Sequence, residues 1–65
     1  MLYILKRVDR QHPPVYYAGD GSRGAPETTT NPVYALHMDH DEAEYQQERL
    51  EQTLSGVWSI RPGST

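Results

Sequence analysis

No cysteine occurs anywhere in the 65 residues of this chain, and that absence constrains what it can fold into. A domain this short buries only about 60% of the surface its unfolded chain exposes. One core of such size supplies roughly 3–5 kcal/mol of net stability. Neither a disulfide nor a thiolate metal site supplements it. Residues 1–65 therefore read as a single small domain held by one sheet, one helix and the fit between them. The missing thiols fit a reducing, cytoplasmic setting. No apolar run approaches the ~18–20 residues of a membrane span. The segment Met1–Arg7 runs from apolar to basic, the reverse of a signal peptide, so no membrane contact is expected.

Periodicity supplies the elements. Leu2–Val8 reads as a strand with Leu2, Ile4 and Val8 on one face and Tyr3 and Leu5 on the other. Pro13 and Pro14 interrupt it, and Val15–Ala18 resumes with β-branched and aromatic residues as the second arm of a hairpin. Residues 19–32, rich in Gly, Ser, Thr and Pro, read as a flexible loop. The run 33–38 fits either a short strand or one irregular turn. A helix follows, with Asp41 as N-cap, Glu44 completing a capping box and Gly56 as the C′ residue. Ala43, Leu50 and Leu54 make its narrow apolar stripe. Val57–Ile60 is the last strand and residues 62–65 a frayed tail. The expectation is an α+β domain: a three- to four-stranded antiparallel sheet with one helix packed on it. Trp58, Ile60, Leu2, Ile4 and either Tyr16 or Tyr17 are expected beneath the helix.

Several chemistries are weighed against this frame. Gly19-Asp20-Gly21-Ser22-Arg23-Gly24 spells a dinucleotide-binding glycine pattern, but Ala25-Pro26 follows where that chemistry needs a helix N-terminus. His37, Asp39, His40 and Asp41, with His12 elsewhere, offer metal-ligand types, yet the plainer reading is a solvated helix entry; no metal or cofactor is expected. Enzyme chemistry is not expected either, because no nucleophile elbow is present and the carboxylates lie on an exposed helix face.

The charge distribution points elsewhere. Residues 31–65 carry six acids (Asp39, Asp41, Glu42, Glu44, Glu48, Glu51) against two bases, Arg49 and Arg61. Glu44, Glu48 and Glu51 recur at i, i+4 and i+7, spanning ~10 Å at ~1.5 Å per residue. No base stands at i+4 from Glu44 or Glu48, and like charges at that spacing weaken an isolated helix. A purely solubilising face remains the plain alternative. Five tyrosines accompany one tryptophan and no phenylalanine, and Tyr45 is expected to stand exposed beside Glu48. The partner-binding set is therefore Asp39, Asp41, Glu42, Glu44, Tyr45, Glu48 and Glu51, facing a cationic protein rather than nucleic acid directly.

The arrangement Leu2-Tyr3-Ile4-Leu5, Val15-Tyr16-Tyr17-Ala18-Gly19, Ala35-Leu36, Asp41-Glu42-Ala43-Glu44 and Val57-Trp58-Ser59-Ile60 resembles small phage and mobile-element proteins. Within that group it is most similar to anti-CRISPR inhibitors that mimic DNA against a type I Cascade complex, of which type I-C is one form. The resemblance implies a monomeric, non-enzymatic inhibitor acting in the bacterial host cytoplasm. Its helix-region acids would occupy the basic cleft that reads the protospacer-adjacent motif, blocking target DNA. The competing expectation is a phage adaptor or structural protein that binds a protein partner through its tyrosines and the long loop.

Overall fold

Strand β1 (Tyr3–Arg7) organises the sheet, flanked on one side by β2 (Tyr16–Asp20) and on the other by β4 (Trp58–Pro62). The computed structural model describes residues 1–63. Residues 26–29 form a further strand, β3, on the outer edge of β2, so the antiparallel sheet is ordered β3-β2-β1-β4. One helix, α1 (His40–Thr53), packs against β1 and β4. The expected α+β architecture is present, with four strands among the described residues.

The register of β1 on β4 decides which side chains meet the helix. Tyr3, Leu5 and Arg7 stand opposite Pro62, Ile60 and Trp58, which puts Leu5, Ile60 and Trp58 on the helix side. Trp58, Tyr17, Leu5 and Leu50 are almost wholly buried, and Met38 and Ala43 complete the core. Two residues expected there lie elsewhere. Leu2 is exposed, and Ile4 is buried on the opposite face of the sheet. Apolar residues occupy both faces of β1, so alternation leaves the choice open, and the pairing with Trp58 and Ile60 makes it. Of the two tyrosines, Tyr17 faces the core, while Tyr16 faces away with the Lys6 ammonium 5.9 Å from its ring centre.

The segment expected to be a flexible loop is partly sheet. Thr28 and Thr29 pair with Tyr17 and Tyr16, and the turn between β2 and β3 closes through Gly21 N–H donating to the Ala25 carbonyl at 2.7 Å. Threonine is β-branched and fits an exposed edge strand, which is why a polar run forms one here.

Residues 33–38 resolve as a turn followed by an insert. Pro32–Tyr34 forms a single 3-10 turn, capped by the Asn31 side chain accepting from Val33 N–H at 3.0 Å. β1 and β2 pair only at Lys6 and Tyr16 and then separate. The chain after the turn fills that gap: Leu36 N–H donates to the Tyr17 carbonyl, and Met38 and Tyr3 exchange both backbone hydrogen bonds. Ala35 and Met38 are buried as a result. The frayed tail expected at 62–65 begins with Pro62 still in β4; residues 64 and 65 lie outside the described residues.

Both helix ends differ from expectation. The N-cap is Asp39 rather than Asp41: its backbone is extended and its carboxylate accepts Glu42 N–H at 2.8 Å. Met38 before the cap and Ala43 four residues after it share the core, a hydrophobic staple that fixes the entry two residues earlier. At the other end Leu54 is the C-cap, so Ser55, not Gly56, occupies C′, at a left-handed φ of 64°. Gly56 follows at φ 87°, where an added Cβ would strike the Asp9 and Arg7 side chains.

Candidate functional site

Helix α1 sorts its side chains by angle. Ala43 and Leu50 point into the core, with Gln47 and Leu54 half-buried beside them. At ~100° per residue the remaining acids divide between two flanks. Asp41, Glu44 and Glu48 lie together on one, with Tyr45 next to them, 64% exposed. Glu42 falls on the other flank, beside Gln46 and Arg49.

Three of the seven expected partner-binding residues are occupied within the fold. Asp39 is spent as the N-cap. Glu42 accepts from Gln46 Nε2 at 2.8 Å, one turn along the same helix. Glu51 accepts the Trp58 backbone N–H at 3.2 Å, while Gln47 Nε2 donates to the Trp58 carbonyl at 2.6 Å. Gln47 and Glu51, one turn apart, thus satisfy both backbone groups of Trp58 on the outer edge of β4. They supply what a fifth strand would supply, and they protect that edge. The row of Glu44, Glu48 and Glu51 expected from spacing is therefore two residues of a row with Asp41 in place of Glu51.

Neither nearby arginine neutralises that row. Arg49 donates to Asp20 at 2.9 Å, to the Gly24 carbonyl at 2.9 Å and to Gln46 at 2.9 Å. These bonds tie the helix to the β2–β3 turn. Arg61 Nε donates to Ser59 on the far face of the sheet. Among the described residues the only basic side-chain nitrogen within 4 Å of the row's carboxylates is His40 Nδ1, 3.5 Å from Glu44. A shallow recess of about 260 Å³ lined by Tyr45, Glu48, Arg49 and Gln52 adjoins the row.

Electrostatics confirm the division of labour. The Tyr17 hydroxyl and the Arg49 guanidinium hold the Asp20 carboxyl below its ordinary range. Burial, and then the hydrogen bond to Asp20, push the Tyr17 phenol up. Asp9 is lowered first by its 2.9 Å bond with His12 and then by the Gln11 and Val57 amides. All three belong to structural junctions rather than to the helix row.

Of the metal-ligand types noted in the sequence, His37, Asp39 and His12 stand apart. His37 lies between the carbonyl oxygens of Ala35 and Gly63, at 3.1 and 3.0 Å. His40, Asp41 and Glu44 bring one donor atom each within 4.8 Å of one another, all exposed. They sit on the first turn of α1, where the helix dipole opposes a cation. The His40 ring also stands edge-on to Tyr3 at 5.2 Å. Compared with known proteins, the chain matches no protein family, no curated protein and no solved structure.

Proposed function

We propose that this chain is a non-enzymatic binding protein that presents Asp41, Glu44, Glu48 and Tyr45 to a cationic surface, acting as a DNA mimic. The observation that carries the proposal is the outward row itself: among the described residues no Lys or Arg pairs with Asp41, Glu44 or Glu48. Asp41 to Glu48 is seven residues, or ~10 Å of helix axis. Three carboxylates about one turn apart along that length are spaced comparably to neighbouring phosphates of one DNA strand, roughly 6–7 Å apart. A site that binds DNA through Lys and Arg meets here a comparable set of anions on a fixed support. Tyr45 adds an aromatic face suited to a guanidinium. The resemblance to anti-CRISPR inhibitors makes the DNA-reading cleft of a type I Cascade complex the proposed target.

The test is competition between this protein and motif-bearing duplex DNA for purified Cascade. The expected result is inhibition that weakens as salt rises and is lost in the Asp41→Lys, Glu44→Lys, Glu48→Lys variant, with circular dichroism unchanged. Glu51 is left untouched because it holds Trp58. Inhibition retained by the triple variant, or no competition at all, overturns the reading.

A further inference from the structure

The sheet face away from the helix carries the opposite charge. Ile4 and Arg61 are cross-strand partners there, and Lys6 stands two residues along from Ile4, opposite Ser59. Side chains at i and i+2 share a face ~7 Å apart. Arg61 Nε donates to Ser59 at 2.9 Å, and the Lys6 ammonium lies over the Tyr16 ring at 5.9 Å, so both cations have a neighbour on this face. Neither has an ion-pair partner among the described residues. The one acid of β3, Glu27, lies against Gly21 at the outermost strand.

Beside these cations is an apolar recess of about 290 Å³, lined by Ile4, Pro32, Val33, His37, Pro62 and Gly63. Val33 on its rim is 77% exposed. That volume suits one aliphatic or aromatic side chain. The split between β1 and β2 makes the recess, because the 3-10 turn and the insert after it rise over Ile4.

We infer that this face is a second docking surface, and that its occupant is an acidic segment of a partner protein carrying one apolar anchor side chain. The anchor enters the recess and flanking carboxylates meet Lys6 and Arg61. Charge complementarity selects the anion, and the apolar recess selects a protein segment over a nucleic acid. Single-stranded nucleic acid needs open aromatic platforms for stacking. Tyr16, which the strand pairing places on this face, already has a cation above it. The inference is independent of the helix row, since the two surfaces lie on opposite sides of the sheet.

The test uses fluorescence anisotropy with a labelled pentapeptide in which a central leucine is flanked by aspartates and glutamates. Binding should weaken with salt and fall on the order of tenfold or more in Lys6→Glu/Arg61→Glu and in Val33→Asp. These substitutions are at surface positions, and circular dichroism verifies the fold. Replacing the peptide leucine by alanine should cost on the order of tenfold. Four results would overturn the inference. The peptide fails to bind at millimolar concentration, or binding survives both variants. An oligothymidylate binds more tightly than the peptide. Sedimentation equilibrium shows self-association abolished by Lys6→Glu/Arg61→Glu, which assigns the face to a second copy. None of these touches the Cascade competition, so the two proposals stand or fall separately.

Discussion

Ser55 holds a left-handed backbone that an L side chain adopts at a cost of roughly 1–2 kcal/mol. Ser55→Gly relieves that strain but frees the unfolded chain, so a net gain of about 0.5–1 kcal/mol is expected. Thermal denaturation should show a midpoint several degrees higher. Gly56→Ala should do the reverse, because its Cβ meets Asp9 and Arg7 at a left-handed φ. Asp20 makes a pH prediction. Its folded-state pKa is depressed, so its contribution to stability is present above the unfolded value of about 4 and lost as pH falls through the folded one. Asp9 has the same sign. Urea midpoints measured between neutral pH and pH ~2 should therefore fall on acidification. In Asp20→Asn the fall should be shallower, with a lower starting stability at neutral pH.

At the scale of elements, the helix cap separates what the sequence reveals from what packing decides. Asp-x-x-Glu occurs twice, as Asp39 to Glu42 and as Asp41 to Glu44, and local spacing alone does not choose. Met38 chooses, by reaching the core beside Ala43. Asp39→Ala should cost about 1 kcal/mol, and Asp41→Ala should fall within about 0.5 kcal/mol of neutral. Chemical denaturation distinguishes them directly. β3 is not legible in the sequence because an edge strand needs no apolar alternation, and its threonines read as loop. The helix, the hairpin start and the last strand were legible because their periodicity coincides with their burial. The candidate site was half legible. Spacing puts Glu44 and Glu48 on one exposed flank with Tyr45 beside them, where they stand, but it also puts Glu51 in the row when the edge of β4 recruits it. Nothing local announces that Gln47 and Glu51 will grip Trp58, since the grip depends on where β4 docks. Gln47→Ala should leave the Trp58 carbonyl without its donor and cost about 0.5–1.5 kcal/mol. Hydrogen exchange on β4 amides should accelerate with it.

The whole molecule is a thin sandwich, 28 × 27 × 19 Å, whose two outer surfaces differ in charge. Its core is one cluster centred on Trp58, Tyr17, Leu5 and Leu50. Trp58→Ala should cost about 3–5 kcal/mol, which is comparable to the whole stability expected of so small a domain. That variant should be largely unfolded by near-UV circular dichroism. The central place of β1 also dictates an order of events. Among the described strands β1 precedes the others in the chain, yet its most extensive pairing is with β4, Trp58–Pro62, and it borrows Met38 on its other side. A growing chain accordingly has no lasting partner for Tyr3–Arg7 until Trp58–Pro62 has emerged. Assembly of the sheet must wait until residue 62 has cleared the ribosome, and until then Leu5 lacks the Trp58 and Ile60 side chains that bury it.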